Sequence, residues 1–193
     1  MLDIIRFPYS PTATAQAAAF WITIYDSPLH WQYLMYLLYL GDIKHLIEHG
    51  VPITGDSYIC NGDKPVLLAT IELLHHSSCS PLLEYPLHLW QHFFSQPNSK
   101  GEVIILTDPG IGDLSESMED VIYQLFDEVR NYSLEELEQY CSRLSECQDK
   151  GYFRRIEIYN ILVEHGYTID ELIDVKRQAN LDCRLDQLQA QTN

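Results

Sequence analysis

Basic residues are scarce in this chain. Against 28 Asp and Glu there are 12 Lys and Arg over 193 residues, a formal net charge of −16. Phosphate backbones and anionic membrane surfaces are bound by neutralising Lys and Arg, so neither nucleic acid nor a membrane is expected as a partner. Cysteine is limited to Cys60, Cys79, Cys141, Cys147 and Cys183. The odd number, with no secretory segment at an N-terminus that carries Asp3 before Arg6, argues against a disulfide framework and for a cytoplasmic protein. No long hydrophobic run occurs either. The richest, Tyr33–Leu40, is far too short to span a bilayer.

Catalytic signatures are missing as well. Gly110-Ile-Gly112 follows a strand-like stretch, yet no third glycine comes at the required spacing, and Asp108 and Asp113 would repel a pyrophosphate. There is no HExxH, nucleophile elbow or CxxC. Cys60 reads as a small apolar strand residue rather than a thiol nucleophile. His88 and His92 are spaced i,i+4 on a helical stretch, with His75, His76 and Cys79 just upstream, so a metal-dependent enzyme is an alternative reading. His45 and His49 repeat the spacing without any supporting ligand pattern, and no metal, cofactor or catalytic residue is assigned. The chain is expected not to be an enzyme.

What is present is core material. Apolar residues make up 46%, with 3 Trp, 13 Tyr and 6 Phe, which argues for one folded domain and against disorder. An irregular lead-in, Met1–Pro11, precedes an Ala-rich helix over Thr12–Tyr25. Ser27 and Pro28 are placed to start the next helix, roughly Leu29–His49, apolar all round between Tyr33 and Leu40 and then amphipathic. Gly50 is placed to end it in a left-handed conformation. Ser57–Cys60 suits a short strand, Asn61-Gly62 a tight turn, Pro65–His76 and Leu87–Phe94 helices, and Glu102–Thr107 the clearest strand. Ser133–Glu136 and Thr168–Glu171 have capping-box spacing, flanked by hydrophobic staples. Asp182–Asn193 is polar and is expected to fray. The fold expected is α+β, a predominantly helical single domain around a long central helix, with Ser57–Cys60 and Glu102–Thr107 in one small sheet. Its divisions are a lead-in and helix over 1–28, the main unit over 29–149 and a helical extension over 150–193.

Asp108–Asp149 holds twelve acidic residues and two basic ones, Arg130 and Arg143, and so contributes −10 of the −16. On amphipathic helices these carboxylates form a negative face. Such a face can be merely solvated, can steer a basic partner, or can mimic nucleic acid to block a nucleic-acid-binding protein.

Read as one phrase, Tyr36-Leu37-Leu38-Tyr39-Leu40-Gly41-Asp42 followed by Gly50-Val51-Pro52-Ile53-Thr54-Gly55-Asp56-Ser57-Tyr58 resembles the signature of the Panacea domain, the SocA-like antitoxin family. Lys64-Pro65-Val66 stands where the family carries a "GPV" element. Leu114-Ser115-Glu116, Val121–Tyr132 and Leu134–Leu144 resemble its later helices. The chain departs from the pattern at Gly41, Ser57 and Lys64, and lacks a Trp motif common near the domain's end. On the residues alone, Pro52 and Gly55 shape a turn, Thr54 and Asp56 tie its backbone donors, and Tyr58 packs back on the helix.

The resemblance implies an antitoxin that binds and neutralises a toxin encoded by a neighbouring gene, in one type as an adaptor to a Clp-type protease. Such domains are common on phages and mobile elements. A phage-type inhibitor that mimics DNA is the alternative from a different class. Leu37, Leu38, Tyr39, Asp42, Gly50, Pro52–Asp56, Tyr58, Pro65 and Val66 are expected to be structural. The expected partner-binding residues are Tyr58, Ile59 and Lys64 at the hairpin rim, with Glu116, Glu119, Asp120, Glu135 and Glu136 on the acidic helices.

Overall fold

The Ala13 N–H donates to the Ser10 hydroxyl at 3.2 Å and Pro11 takes the first helical position, which turns the irregular lead-in into helix α1 (Pro11–Ile24). These features come from a computed structural model that describes residues 4–75, 81–148 and 153–192. The alanines of α1 are buried and let it lie close against its neighbours. Ser27 and Pro28 do not start the next helix. The chain first forms a two-residue strand β1 (Leu29–His30), and the ring of His30 accepts from the Gln32 N–H to cap helix α2 (Trp31–His49).

Helix α2 is the axis of the fold, about 28 Å long at 1.5 Å per residue. Every residue from Tyr33 to Ile43 is buried, as a run that is apolar all round requires. Gly50 ends the helix at φ +75°, its N–H donating to the Leu46 carbonyl at 2.9 Å.

A hairpin follows, of strands β2 (Tyr58–Asn61) and β3 (Lys64–Leu67). Its two-residue loop has positive φ at Gly62, the position where a tight hairpin turn favours glycine. Residues 65–67, expected to open a helix, are thus strand. Pro65 is accommodated because β3 is an edge strand. Helix α3 (Leu68–Leu74) begins only after it, and helix α4 (Glu84–Phe93) packs on α1 and α3. Of the clear strand expected over Glu102–Thr107, only β4 (Glu102–Val103) forms, and it pairs with β1 rather than with the hairpin. The β-branched run continues as one bridge from Ile105 to Phe94.

Helices α5 (Glu116–Val129) and α6 (Leu134–Ser142) pack on α2. The capping box at Ser133 and Glu136 is complete. After a 3₁₀ turn at Ser145–Cys147, strand β5 (Arg154–Arg155) pairs with β2, so the second sheet runs β3-β2-β5. Helix α7 (Ile158–Glu164) leads to α8 (Ile169–Thr192), whose start carries the second capping arrangement, with Thr168 and Glu171 hydrogen-bonded to each other. The tail expected to fray is helical as far as Thr192, and the part of α8 before it carries buried Leu172, Val175 and Ala179. The Tyr167 hydroxyl donates to the Ile47 carbonyl at 3.0 Å, tying the start of α8 to the end of α2. The described residues form a mostly helical α+β domain. None of their helices is long and apolar enough to cross a membrane.

Candidate functional site: a buried carboxylate knot beneath an acidic surface

Asp42, fully buried in α2, would be costly as a lone charge. It is surrounded by donors from the turn that follows the helix. One carboxylate oxygen accepts from the N–H groups of Ile53 (3.0 Å) and Thr54 (2.8 Å). The other accepts from the Tyr58 hydroxyl (3.0 Å) and from the Thr54 hydroxyl. Burial outweighs these donors and pushes the Asp42 carboxyl up to about 7. Thr54 is the relay: its hydroxyl donates to Asp42 and accepts from the Asp56 N–H at 3.1 Å.

Asp56 does a second job from the same turn. Leu67 precedes α3 but has no side chain able to cap it. The Asp56 carboxylate accepts instead from the N–H groups of Ala69 (2.9 Å) and Thr70 (2.8 Å), and from the Thr70 hydroxyl at 2.8 Å. It therefore meets the first turn of α3, where exposed N–H groups and the helix dipole favour an anion. Burial raises its pKa, against the pull of these bonds. Between the two acids, Gly55 sits at φ +69°, and a Cβ there would stand 2.1 Å from the Pro8 carbonyl oxygen. The lead-in crosses directly over the turn, and the Ser10 N–H donates to the Thr54 carbonyl at 2.8 Å. Only glycine satisfies both the backbone angle and the clearance.

The central helix reaches the end of α5, α6 and the 3₁₀ turn after it through three phenols one turn apart. Tyr33 donates to the carbonyls of Val129 (3.2 Å) and Tyr132 (3.1 Å), Tyr36 to Glu138 (3.3 Å), and Tyr39 to Glu146 (2.8 Å). His45, also buried, approaches the Val51 carbonyl oxygen through Nδ1 at 2.6 Å, so Nδ1 carries the proton and Nε2 accepts from the Ser117 hydroxyl at 3.1 Å. Burial lowers its pKa, in keeping with a neutral ring. His45 is thus a strut between the turn and the start of α5, although its i,i+4 spacing to His49 resembles a ligand pair. The spacing of Tyr33, Tyr36 and Tyr39 was the visible signal for the phenol row. No local signal pointed to Asp56 as the remote cap.

The expected partner-binding residues divide. Tyr58 presents no surface: it is 1% exposed, donates to Asp42, and stacks edge-on against Tyr39 at 5.6 Å. Ile59 is half-buried, and Lys64 is exposed but paired with Glu138 at 2.6 Å. Glu136 accepts from the Ser133 N–H at 2.7 Å in the capping box. Glu116, Asp120 and Glu135 are exposed, Glu119 is half-buried, and none of the four has a salt bridge among the described residues. On α5 the acids flank Tyr123, 51% exposed, whose ring meets Phe20 edge-on at 5.2 Å.

His88 and His92 are exposed, and the ring of His75 lies against Trp31 at 4.6 Å; His76 and Cys79 lie outside the described residues. Among the described residues no group of three or more His, Cys, Asp or Glu could hold a metal ion.

Comparison with known families matches residues 34–146 to the one described as antitoxin SocA-like, Panacea domain. No curated protein matches the chain, and no solved structure does.

Proposed function

The chain belongs to the SocA-like Panacea antitoxin family, and on that premise we propose that it neutralises a toxin protein by direct binding through the exposed face of α5 and the start of α6. The observation that carries the reading is a division of labour among the acids of the matched region. Asp42 and Asp56 are enclosed by the turn. Glu138 and Glu146 receive phenols, and Glu128 lies 3.4 Å from Lys44. Glu116 and Asp120 are left exposed on α5 with Tyr123, Glu119 half-buried beside them, and Glu135 exposed at the start of α6. An exposed aromatic ring within a negative field suits a basic partner, the charges steering encounter and the ring adding contact area.

Co-expression with the product of the adjacent gene tests this reading. A stable complex and rescue of growth are expected, with E116K/D120K/E135K weakening the complex at least tenfold at low salt. Absence of both complex and rescue overturns the antitoxin reading, and a complex indifferent to the charge reversal overturns the surface. Delivery of the bound toxin to a Clp-type protease is the finer part of the proposal. It requires the toxin's half-life in cells to lengthen when that protease is removed.

A further inference from the structure

We propose that Cys60 and Cys147 form a peroxide-oxidisable dithiol, which closes to a disulfide stapling strand β2 to the turn after α6. The two sulfurs lie 3.1 Å apart, 87 residues apart in sequence, and both side chains are fully buried. A disulfide needs about 2.05 Å, so closure asks the sulfurs to approach by about 1 Å. The elements they join are already fixed to each other. Tyr39 donates to Glu146, beside Cys147, and the guanidinium of Arg154 donates to the Glu146 carbonyl, which in turn lies 3.3 Å from the Cys60 sulfur.

The environment makes the two thiols unequal. The contact with Cys147 and the nearby Arg154 charge lower the Cys60 pKa below its usual value. The same contact and burial push Cys147 well up, and burial pushes up Cys141. Thiolate character selects the attacked sulfur, and a neighbouring thiol resolves it. Cys60 therefore takes the first role and Cys147 the second.

The chemistry balances with hydrogen peroxide as the oxidant. The Cys60 thiolate attacks one peroxide oxygen, the O–O bond breaks, and hydroxide leaves, giving a sulfenic acid. The Cys147 sulfur then attacks the Cys60 sulfur. An S–S bond forms, the S–O bond breaks, and the departing oxygen leaves as water with the Cys147 proton. The hydroxide takes a proton from solvent, so two electrons from the sulfur pair reduce one peroxide to two waters.

Access is by way of a surface cleft of about 340 Å³ whose lining includes Ser145, Glu146 and Arg154. Glu146 and Arg154 stand between this cleft and the thiols. Cys147 itself belongs to a single 3₁₀ turn, with exposed Ser145 before it and exposed Gln148 after it. Short elements of this kind open locally at low cost and admit a molecule the size of peroxide.

The test exposes the reduced full-length chain to hydrogen peroxide, then denatures, alkylates and maps it by mass spectrometry. A loss of 2 Da on the order of one pair per chain, carried by a Cys60–Cys147 cross-linked peptide and reversed by dithiothreitol, is expected. The oxidised chain should melt roughly 5–15 °C higher, since the bond closes a long loop. In C147S, Cys60 should stop at the sulfenic acid and be trapped by dimedone. Recovery of both Cys60 and Cys147 as alkylated thiols overturns the proposal. So does pairing of Cys60 with another cysteine, or its passage to a sulfinic acid without a cross-link. Should C147S fail to fold, the peptide map of the unmodified chain decides by itself.

Discussion

Asp42 and Asp56 lie in the interior, each accepting four hydrogen bonds from the turn, the hairpin or α3, whereas Glu116, Asp120 and Glu135 meet water on helices laid over the same axis. The chemistry of the side chain is the same in both regions. Its consequence is decided by whether donors surround it. In the knot, the Asp42 carboxylate ties helix α2 to the N–H groups of Ile53 and Thr54 and to the Tyr58 hydroxyl, buried donors that require an acceptor. On α5 and α6 a carboxylate contributes little to the fold and shapes the field outside it.

The sharpest way to break the contrast is D42A. It leaves the N–H groups of Ile53 and Thr54 and the hydroxyls of Thr54 and Tyr58 without their acceptor. A loss of about 3–5 kcal/mol is expected in urea unfolding, and a loss below about 1 kcal/mol would show that water replaces the carboxylate freely.

Next comes pH. The folded carboxyl of Asp42 is raised from 3.8 to about 7, so the folded state holds its proton more tightly than the unfolded one. The contribution is complete below about pH 4 and is lost as pH rises through 7, a swing of about 4 kcal/mol at most. Between pH 4 and 8 the unfolding midpoint of the natural chain should therefore fall relative to that of D42N, whose side chain does not titrate. His45, whose lowered pKa gives the opposite slope, is common to both proteins and cancels. Parallel curves would mean that the four donors prevail over burial.

Gly55→Ala should cost about 2–4 kcal/mol by thermal or urea unfolding, because its Cβ would meet the Pro8 carbonyl oxygen and its φ is positive. The smallest effect on folding belongs to the outer acids. E116K/D120K/E135K should change stability by less than about 0.5 kcal/mol while altering partner binding. A large loss of stability there would erase the distinction between the two regions.

Much of the knot was legible in the order of residues, because turn chemistry is local. Gly50 after a helix, Pro52 and Gly55 in a turn, and the Thr54 hydroxyl on the Asp56 N–H each act within a few residues, whereas the reach of Asp56 to Ala69 and Thr70 does not. The buried run Tyr33–Leu40 announced the central helix for the same reason. What was not legible depends on pairing across distance. Pro65-Val66 is compatible with helix or edge strand until Ile59 and Cys60 are placed opposite them. Glu102-Val103 pairs with Leu29-His30 because the chain returns there, not because of its own composition. Tyr58 resembled a rim residue until its hydroxyl was found on Asp42. The acidic block was visible as a total, but the allocation of Glu138 and Glu146 to phenols required the packing of α6 on α2.

The knot also has a temporal consequence. Its bonds close short loops: Asp42 reaches Tyr58 across 16 residues, and Asp56 reaches Thr70 across 14. The phenol that holds the turn after α6, Tyr39 to Glu146, spans 107. Bringing the ends of the shorter loop together costs about 1.7 kcal/mol less chain entropy. During refolding, the central helix, turn, hairpin and α3 are then expected to assemble as an early nucleus, with substitutions in the knot slowing folding and Y39F chiefly speeding unfolding. During synthesis, the same ordering lets residues 42–70 settle before the acidic helices have emerged, so the scaffold precedes the surface it presents.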